Sequence, residues 1–207
     1  MMRYRDIVFD FDGTLSDTYP VFTEALLTVM DRHGIHDTYE SVYSKLKVSV
    51  GTAIGAYDFG IPYREISAEF HELHDSMAPL CQKPVEHAGE LLKFISDSGG
   101  RSFIFTHSGS IVGKMMDIWE LSKYVTGAVD GSYKIPRKPA PNGVLILIEK
   151  YGIDRDSAII VGDRDIDLES GIAAGIHGCL LDPDHFYDSY TPEYRIDSLK
   201  DLIPVIR

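Results

Sequence analysis

Beyond Lys83 the chain alternates short apolar runs with amphipathic stretches. β-like runs end at Thr106 and cover residues 126–129, 158–161 and 178–181. Between them, apolar residues recur at helical spacing from about Val85 to the Gly99-Gly100 stop, then over 111–119, 142–151 and 168–174. A short helix near 198–203 is expected to close an edge. With the β-prone run Asp6-Ile7-Val8-Phe9 near the start, this order predicts βαβ units. The fold class expected is α/β, a Rossmann-like parallel sheet covered on both faces.

Between Ser16 and Gln82 the pattern changes. Val21, Ala25, Leu26, Val29 and Met30 recur at helical spacing, as do Ile66, Phe70, Leu73 and Met77, with no strong β run between. Gly34, Gly51, Gly55 and Gly60 are read as breakers dividing the stretch into roughly four helices. The expected organisation is therefore an α/β core of residues 1–16 and 83–207, carrying an all-helical insertion over 17–82.

Composition changes this picture little, and charge changes it more. With 44% hydrophobic and 25% charged residues, the 207-residue chain has an ordinary globular make-up. A net charge of -12 disfavours nucleic acid and anionic membrane surfaces as partners. It also opposes long-range attraction of an anionic substrate, so such a substrate would need local positive charge. Cys81 and Cys179, far apart and without CxxC spacing, read as reduced packing residues. No signal-like core or membrane-length apolar run is seen, and a soluble, cytoplasmic protein is expected.

Four segments carry candidate chemistry. The run Phe9 to Leu15 reads FDFDGTL and sets Asp10 and Asp12 at the end of a strand, where open α/β sheets bind ligands. Two such charges close together need a cation, a shared proton, or both. Next, the strand ending Phe105-Thr106-His107-Ser108 offers hydroxyls and backbone N–H groups suited to a phosphate oxygen. A lysine, Lys138, lies between Arg137 and the Pro139-Ala140-Pro141 turn. Finally, Ile159-Ile160-Val161-Gly162-Asp163 delivers an acid from an apolar strand, with Asp165 and Asp167 following.

These segments, in this order, resemble the signature of the haloacid dehalogenase superfamily, the aspartate-nucleophile phosphatases and their relatives. The resemblance covers essentially the whole chain, and it implies a small helical cap for residues 17–82, of the phosphoglycolate phosphatase-like branch. It implies Asp10 as nucleophile, Asp12 as general acid and base, and Lys138 as the phosphate-neutralising cation. Thr106, His107 and Ser108 are implied as phosphate contacts. Mg²⁺ would be held by Asp10, Asp163 and the Asp12 carbonyl, with Asp167 orienting Lys138 or a metal-bound water. Arg164 stands where the family usually has a small hydroxyl residue; it is read as an anion contact or as a partner of Asp165. The implied activity is Mg²⁺-dependent hydrolysis of a small phosphorylated metabolite through an aspartyl-phosphate, by a monomer or homodimer. Lys45 and Lys47, on the cap, are candidate substrate contacts.

Two alternatives are weighed. The sugar-phosphate mutases share the cap type but carry a histidine in its first helix, where Phe22 stands here. A receiver-like signalling protein, or another non-catalytic phospho-ligand binder, is the reading from outside the enzyme class. The receiver's phosphoacceptor aspartate has no counterpart in Phe103–Thr106, and a non-catalytic protein would have lost one of Asp10, Asp12, Lys138 or Asp163. His71 and His74 lack the HExxH spacing of a zinc site and are expected on a solvated helix face. Trp119 is expected as a core or subunit-contact residue. Phe186, Tyr187, Tyr190 and Tyr194 are expected to form a packed loop or a dimer contact.

Overall fold

The computed structural model describes residues 2–207. The chain divides into two compact units, one formed by the chain up to Ser16 with Pro84–Arg207, the other by Asp17–Lys83. The two-residue strands β2 (Ser16–Asp17) and β3 (Lys83–Pro84) mark the boundaries between them.

The first unit is built on a six-stranded sheet. Its strands are β1 (Asp6–Phe9), β4 (Arg101–Phe105), β5 (Val125–Val129), β6 (Ala158–Gly162), β7 (His177–Leu181) and β8 (Tyr194–Ile196). They lie in the order β5-β4-β1-β6-β7-β8, and every pairing is parallel. β1 is therefore central, between β4 and β6, and both its faces are buried. This explains its unbroken apolar run, since a parallel strand covered on two sides has no polar face to alternate. Val8, Phe103, Phe105 and Ile160 join Val144 and Leu147 of α7 (Asn142–Tyr151) in one core cluster. Gly143 allows that contact, because a Cβ there would lie 2.2 Å from the Phe105 ring. The remaining helices of this unit are α5 (Ala88–Asp97), α6 (Ile111–Ile118), α8 (Asp165–Ala173) and α9 (Leu202–Ile206). α5 packs on β4, and α8 packs on β6 and β7.

At the opposite, amino end of the sheet, Asp6 and Arg101 are register partners. Arg101 grips the buried Asp6 carboxylate with Nε and Nη2, at 2.6 and 2.8 Å, and its Nη1 donates to the Tyr151 carbonyl. A charge at the head of a buried strand is tolerated because a bidentate guanidinium meets it.

The second unit holds four helices, α1 (Tyr19–Arg32), α2 (Tyr39–Val48), α3 (Val50–Gly55) and α4 (Tyr63–Cys81). Gly51 does not interrupt the chain as expected, whereas Gly55 stands at a helix end. Both lie in α3, whose start is set by Ser49 Oγ accepting from Thr52 N at 2.8 Å. Phe22 sits in this unit's core, its ring edge-on to Phe70 at 5.3 Å and to His74 at 4.6 Å. His74 also departs from expectation: it is buried, hydrogen-bonded to Gln82 Oε1 at 2.9 Å and Asp75 Oδ1 at 3.0 Å. The ring is apolar enough to pack on two phenylalanines, and its nitrogens find partners, so it needs no solvent. His71 is exposed.

The stretch after β7 is not only a loop, since Tyr194 belongs to strand β8. Asp182 organises what precedes it, accepting from the N–H groups of Phe186 and Tyr187 at 2.8 and 3.1 Å and from Arg195. Arg195 in turn donates to the carbonyls of Tyr187 and Tyr190. Of the two cysteines, Cys179 is buried in β7 and Cys81 is exposed. No helix among the described residues is long and apolar enough to cross a membrane.

Candidate active site

The carboxyl ends of three adjacent strands bring the candidate residues together. Asp10 follows β1, Thr106 follows β4 and Asp163 follows β6. Lys138 arrives from the loop before α7 and is buried with its ammonium fully engaged. Its Nζ donates to Asp10 Oδ1 at 2.6 Å, to the Phe105 carbonyl at 2.7 Å and to Asp167 Oδ1 at 2.8 Å. Burial works against this ammonium, but Asp10 and Asp167 outweigh it and hold its pKa above the ordinary lysine value. Burial pushes the Asp10 carboxyl up to about 8; Lys138 opposes that rise, and Asp167, Asp163 and Asp12 add to it.

Asp167 is fixed from both sides. Its Oδ2 accepts from Arg164 N at 3.1 Å, which caps the start of α8, while Oδ1 receives Lys138. Asp167 thus meets the Lys138 ammonium with one oxygen and the start of α8 with the other. Gly162 makes room for that side chain, since a Cβ there would lie 2.3 Å from Asp167 Cβ and 2.6 Å from its Cγ. We expect Gly162→Ala to destabilise the unit by about 1–3 kcal/mol in urea unfolding, as overpacking does elsewhere. An unchanged midpoint would show that Asp167 can move aside freely.

Asp10, Asp163 and Asp167, all buried, offer oxygens within 4.8 Å of one another. Three carboxylates face one ammonium, an excess of buried negative charge that a divalent cation would offset. An oxygen-only donor set of this kind suits a hard cation. The Asp12 carboxylate is not in this group; it is partly exposed and accepts a hydrogen bond from Ser108 Oγ. Thr106, almost fully buried, receives the Ser108 N–H on its Oγ1 at 3.1 Å.

His107 lies against the lysine loop. Its Nε2 accepts from the backbone N–H of Lys138 at 2.8 Å, so the ring braces the lysine loop. Burial, with the charges of Lys138, Arg137 and Arg164, lowers its pKa to about 4, so the ring is neutral near pH 7. Arg164 contributes its backbone to the cap of α8. In the helical unit, Lys45 donates to Asp37 at 3.2 Å and to Ser41, while Lys47 is buried with its ammonium 5.0 Å from the Tyr19 ring centroid. Sequence reasoning missed Gly162 and the Phe105 carbonyl. A glycine immediately before a strand-end acid was a signal for the first, whereas a main-chain acceptor leaves none for the second.

A buried aspartate meeting an ammonium at the carboxyl edge of a parallel sheet, beside a cation-sized group of acids, defines an α/β enzyme site made for an anionic group. Comparison with known proteins gives the family. The model of the haloacid dehalogenase-like hydrolases matches residues 7–181. The chain is 27% identical to a phosphoglycolate phosphatase of Aquifex aeolicus, over 98% of this chain and 96% of that protein. It is 25% identical to phosphoglycolate phosphatase 1 of Pseudomonas aeruginosa, over 97% and 79%. A crystal structure of a hydrolase from Streptococcus pneumoniae is 34% identical, with a TM-score of 0.65 over 86% of this chain and 92% of that one. The chain belongs to the haloacid dehalogenase-like hydrolase family, and within it is a phosphatase-like enzyme.

Proposed function

We propose that the protein hydrolyses a small phosphomonoester, with Asp10 as the nucleophile. The observation that carries this reading is the placement of the Asp10 carboxylate 2.6 Å from the buried Lys138 ammonium, at the edge of the acid group. Asp10 attacks phosphorus to form an aspartyl-phosphate. Asp12 gives a proton to the leaving alkoxide and later takes one from water; the Ser108 hydroxyl orients its carboxyl. Lys138 and Thr106 hold the phosphoryl oxygens, so charge spread over them in the transition state is neutralised. Asp10, Asp163 and the Asp12 carbonyl would hold Mg²⁺, which when bound supplies positive charge against the phosphoryl group.

The ammonium of Lys138 has three N–H bonds, and all three are committed, to Asp10, Asp167 and Phe105. A phosphoryl oxygen therefore gains this cation by replacing one of those acceptors. Asp10 is the acceptor that gives way, because its oxygen becomes bound to phosphorus in the acyl-phosphate as the phosphoryl group arrives. Asp167 and the Phe105 carbonyl keep the lysine in place meanwhile.

The substrate class follows from the relatives and from charge. Phosphoglycolate, the substrate named for two relatives, is a small dianionic-to-trianionic ester. The test is a hydrolysis screen over small phosphorylated metabolites with Mg²⁺, reading inorganic phosphate against substrate loss. Stoichiometric phosphate from a compact monoester is expected; isomerisation of a hexose phosphate outrunning phosphate release would replace this reading with a mutase.

Mg²⁺ should be required. Excess chelator should abolish turnover, Asp163→Ala should weaken metal binding in calorimetry, and Ca²⁺ should inhibit because it tolerates looser coordination. Full activity in chelator would remove the metal from this scheme. Asp12→Asn should slow esters with poor leaving groups far more than an activated aryl phosphate. Equal losses for the two would take the general-acid role from Asp12.

A further inference from the structure

Both flanks of α6 reach the loop that follows β1. Before the helix, the Ser108 hydroxyl donates to Asp12 Oδ2. After it, the indole of Trp119 stacks on the Phe11 ring, with centroids 6.1 Å apart and planes inclined by 21°. Phe11 is fully buried, and its carbonyl accepts from the N–H groups of Thr14, Leu15 and Ser16 at 3.3, 3.0 and 2.9 Å. Phe11 stands between Asp10 and Asp12 in the chain. Its backbone is therefore tied from within the turn, and its side chain is held from outside by the end of α6. Any rotation of Phe11 would carry the flanking aspartates with it.

Resting on the phosphatase reading, we propose that α6 is a two-point clamp on the aspartate loop, with Trp119 as a positioning residue acting through Phe11. Ser108 is the second point of the same clamp, acting on Asp12. Trp119 touches no reacting atom. Its effect is on placement, and sites of this kind require placement to within about 0.5 Å. Simple core filling by Trp119 would cost stability alone. A clamp makes a narrower demand: turnover must fall in molecules that remain folded, and the two contact points must be coupled. Trp119 is also the chain's single tryptophan, so its emission reports the contact directly.

The experiment compares wild type, Trp119→Leu, Trp119→Phe, Ser108→Ala and the Trp119→Leu/Ser108→Ala double variant. The probes are p-nitrophenyl phosphate and an alkyl phosphate, whose poor leaving group needs Asp12, each with Mg²⁺, and rates are normalised to the folded fraction from circular dichroism. Trp119→Leu is expected to lower kcat by about tenfold with KM within about twofold, and Trp119→Phe to restore most of it. The double variant is expected to lose less than the product of the two single losses, since both act on one loop. Normal kcat in folded Trp119→Leu, or losses that multiply independently, would overturn the clamp. A wild type that hydrolyses none of the screened phosphates strikes at the phosphatase reading instead. The clamp is then decided without turnover, by acrylamide quenching of Trp119 emission. Quenching should rise in Phe11→Leu and in Ser108→Ala, and no change in either would overturn the proposal.

Discussion

Asp10→Asn should leave the protein folded and reduce phosphate release by at least about 10⁴-fold, the scale on which removal of an enzymatic nucleophile is felt. The two halves of this result have separate causes. An amide nitrogen or oxygen at this position has too little nucleophilicity to form the acyl-phosphate, so turnover falls to what the remaining charges supply. The fold survives because the asparagine carbonyl can still accept from Lys138, which keeps its bonds to Asp167 and to Phe105. The substitution also removes a titratable carboxyl from a buried group that includes Asp163 and Asp167, and burial, the main cause of the raised pKa of Asp10, then no longer opposes a charge at this position. The midpoint of thermal unfolding should therefore be unchanged or higher without metal. Activity within tenfold of wild type would end the nucleophile assignment, and a collapse of the folded state would show that Lys138 depends on Asp10 more than on Asp167.

The parts of this fold that were legible in the sequence are those whose signals are local. β6 is an unbroken apolar run, and β1, β4 and β7 end in one, because parallel strands are covered on two faces, and α7 is set by its own periodicity and by Gly152 at its end. What escaped depends on distant residues. The three-residue strand β8 has no strong pattern of its own; it exists because β7 offers an edge and Asp182 fixes Arg195. The start of α8 lies three residues earlier than its apolar spacing suggests, because its first turn is made of acids that double as site residues. His74 looked solvated by composition, yet it fills a gap between two phenylalanines.

The site divides along the same line. Asp10, Asp12 and Asp163 stood out as acids at strand ends, but only a resemblance in motif order joined Lys138 to them, since no rule of spacing could place residues 128 positions apart within 2.6 Å. The bracing interactions were not legible, since no motif records that His107 would accept from the Lys138 backbone or that Phe11 would stack on Trp119. Reactive groups are marked by unusual residue types at strand ends; the groups that hold them still are ordinary residues in particular contacts.

Lys138→Met should lower stability and activity together. Methionine matches the length of the lysine stem, so packing against the Phe105 ring, 4.6 Å from the ammonium, is largely kept. What is lost is the ammonium that pairs with both Asp10 and Asp167. Breaking a buried ion pair by removing one member typically costs about 3–5 kcal/mol, because the other charge is left uncompensated. Here two carboxylates are left, and a loss at the upper end of that range is expected in urea unfolding without metal. Turnover should fall by a further factor of about 10³, the scale of losing one preorganised transition-state donor. Lys138→Arg should not rescue it. The three acceptors surround a single nitrogen, an arrangement that fits the three N–H bonds of an ammonium, whereas a planar guanidinium directs its donors outward as a fork. If the acids hold Mg²⁺ as proposed, the ion would supply a second source of positive charge at Asp10 and should recover part of the stability of Lys138→Met while recovering none of its turnover. Those two readings, taken on one variant with and without the ion, separate the lysine's part in holding the acids together from its part in meeting the phosphoryl group. If Lys138→Arg hydrolyses as wild type does, the ammonium's three-way fit is not what the site uses.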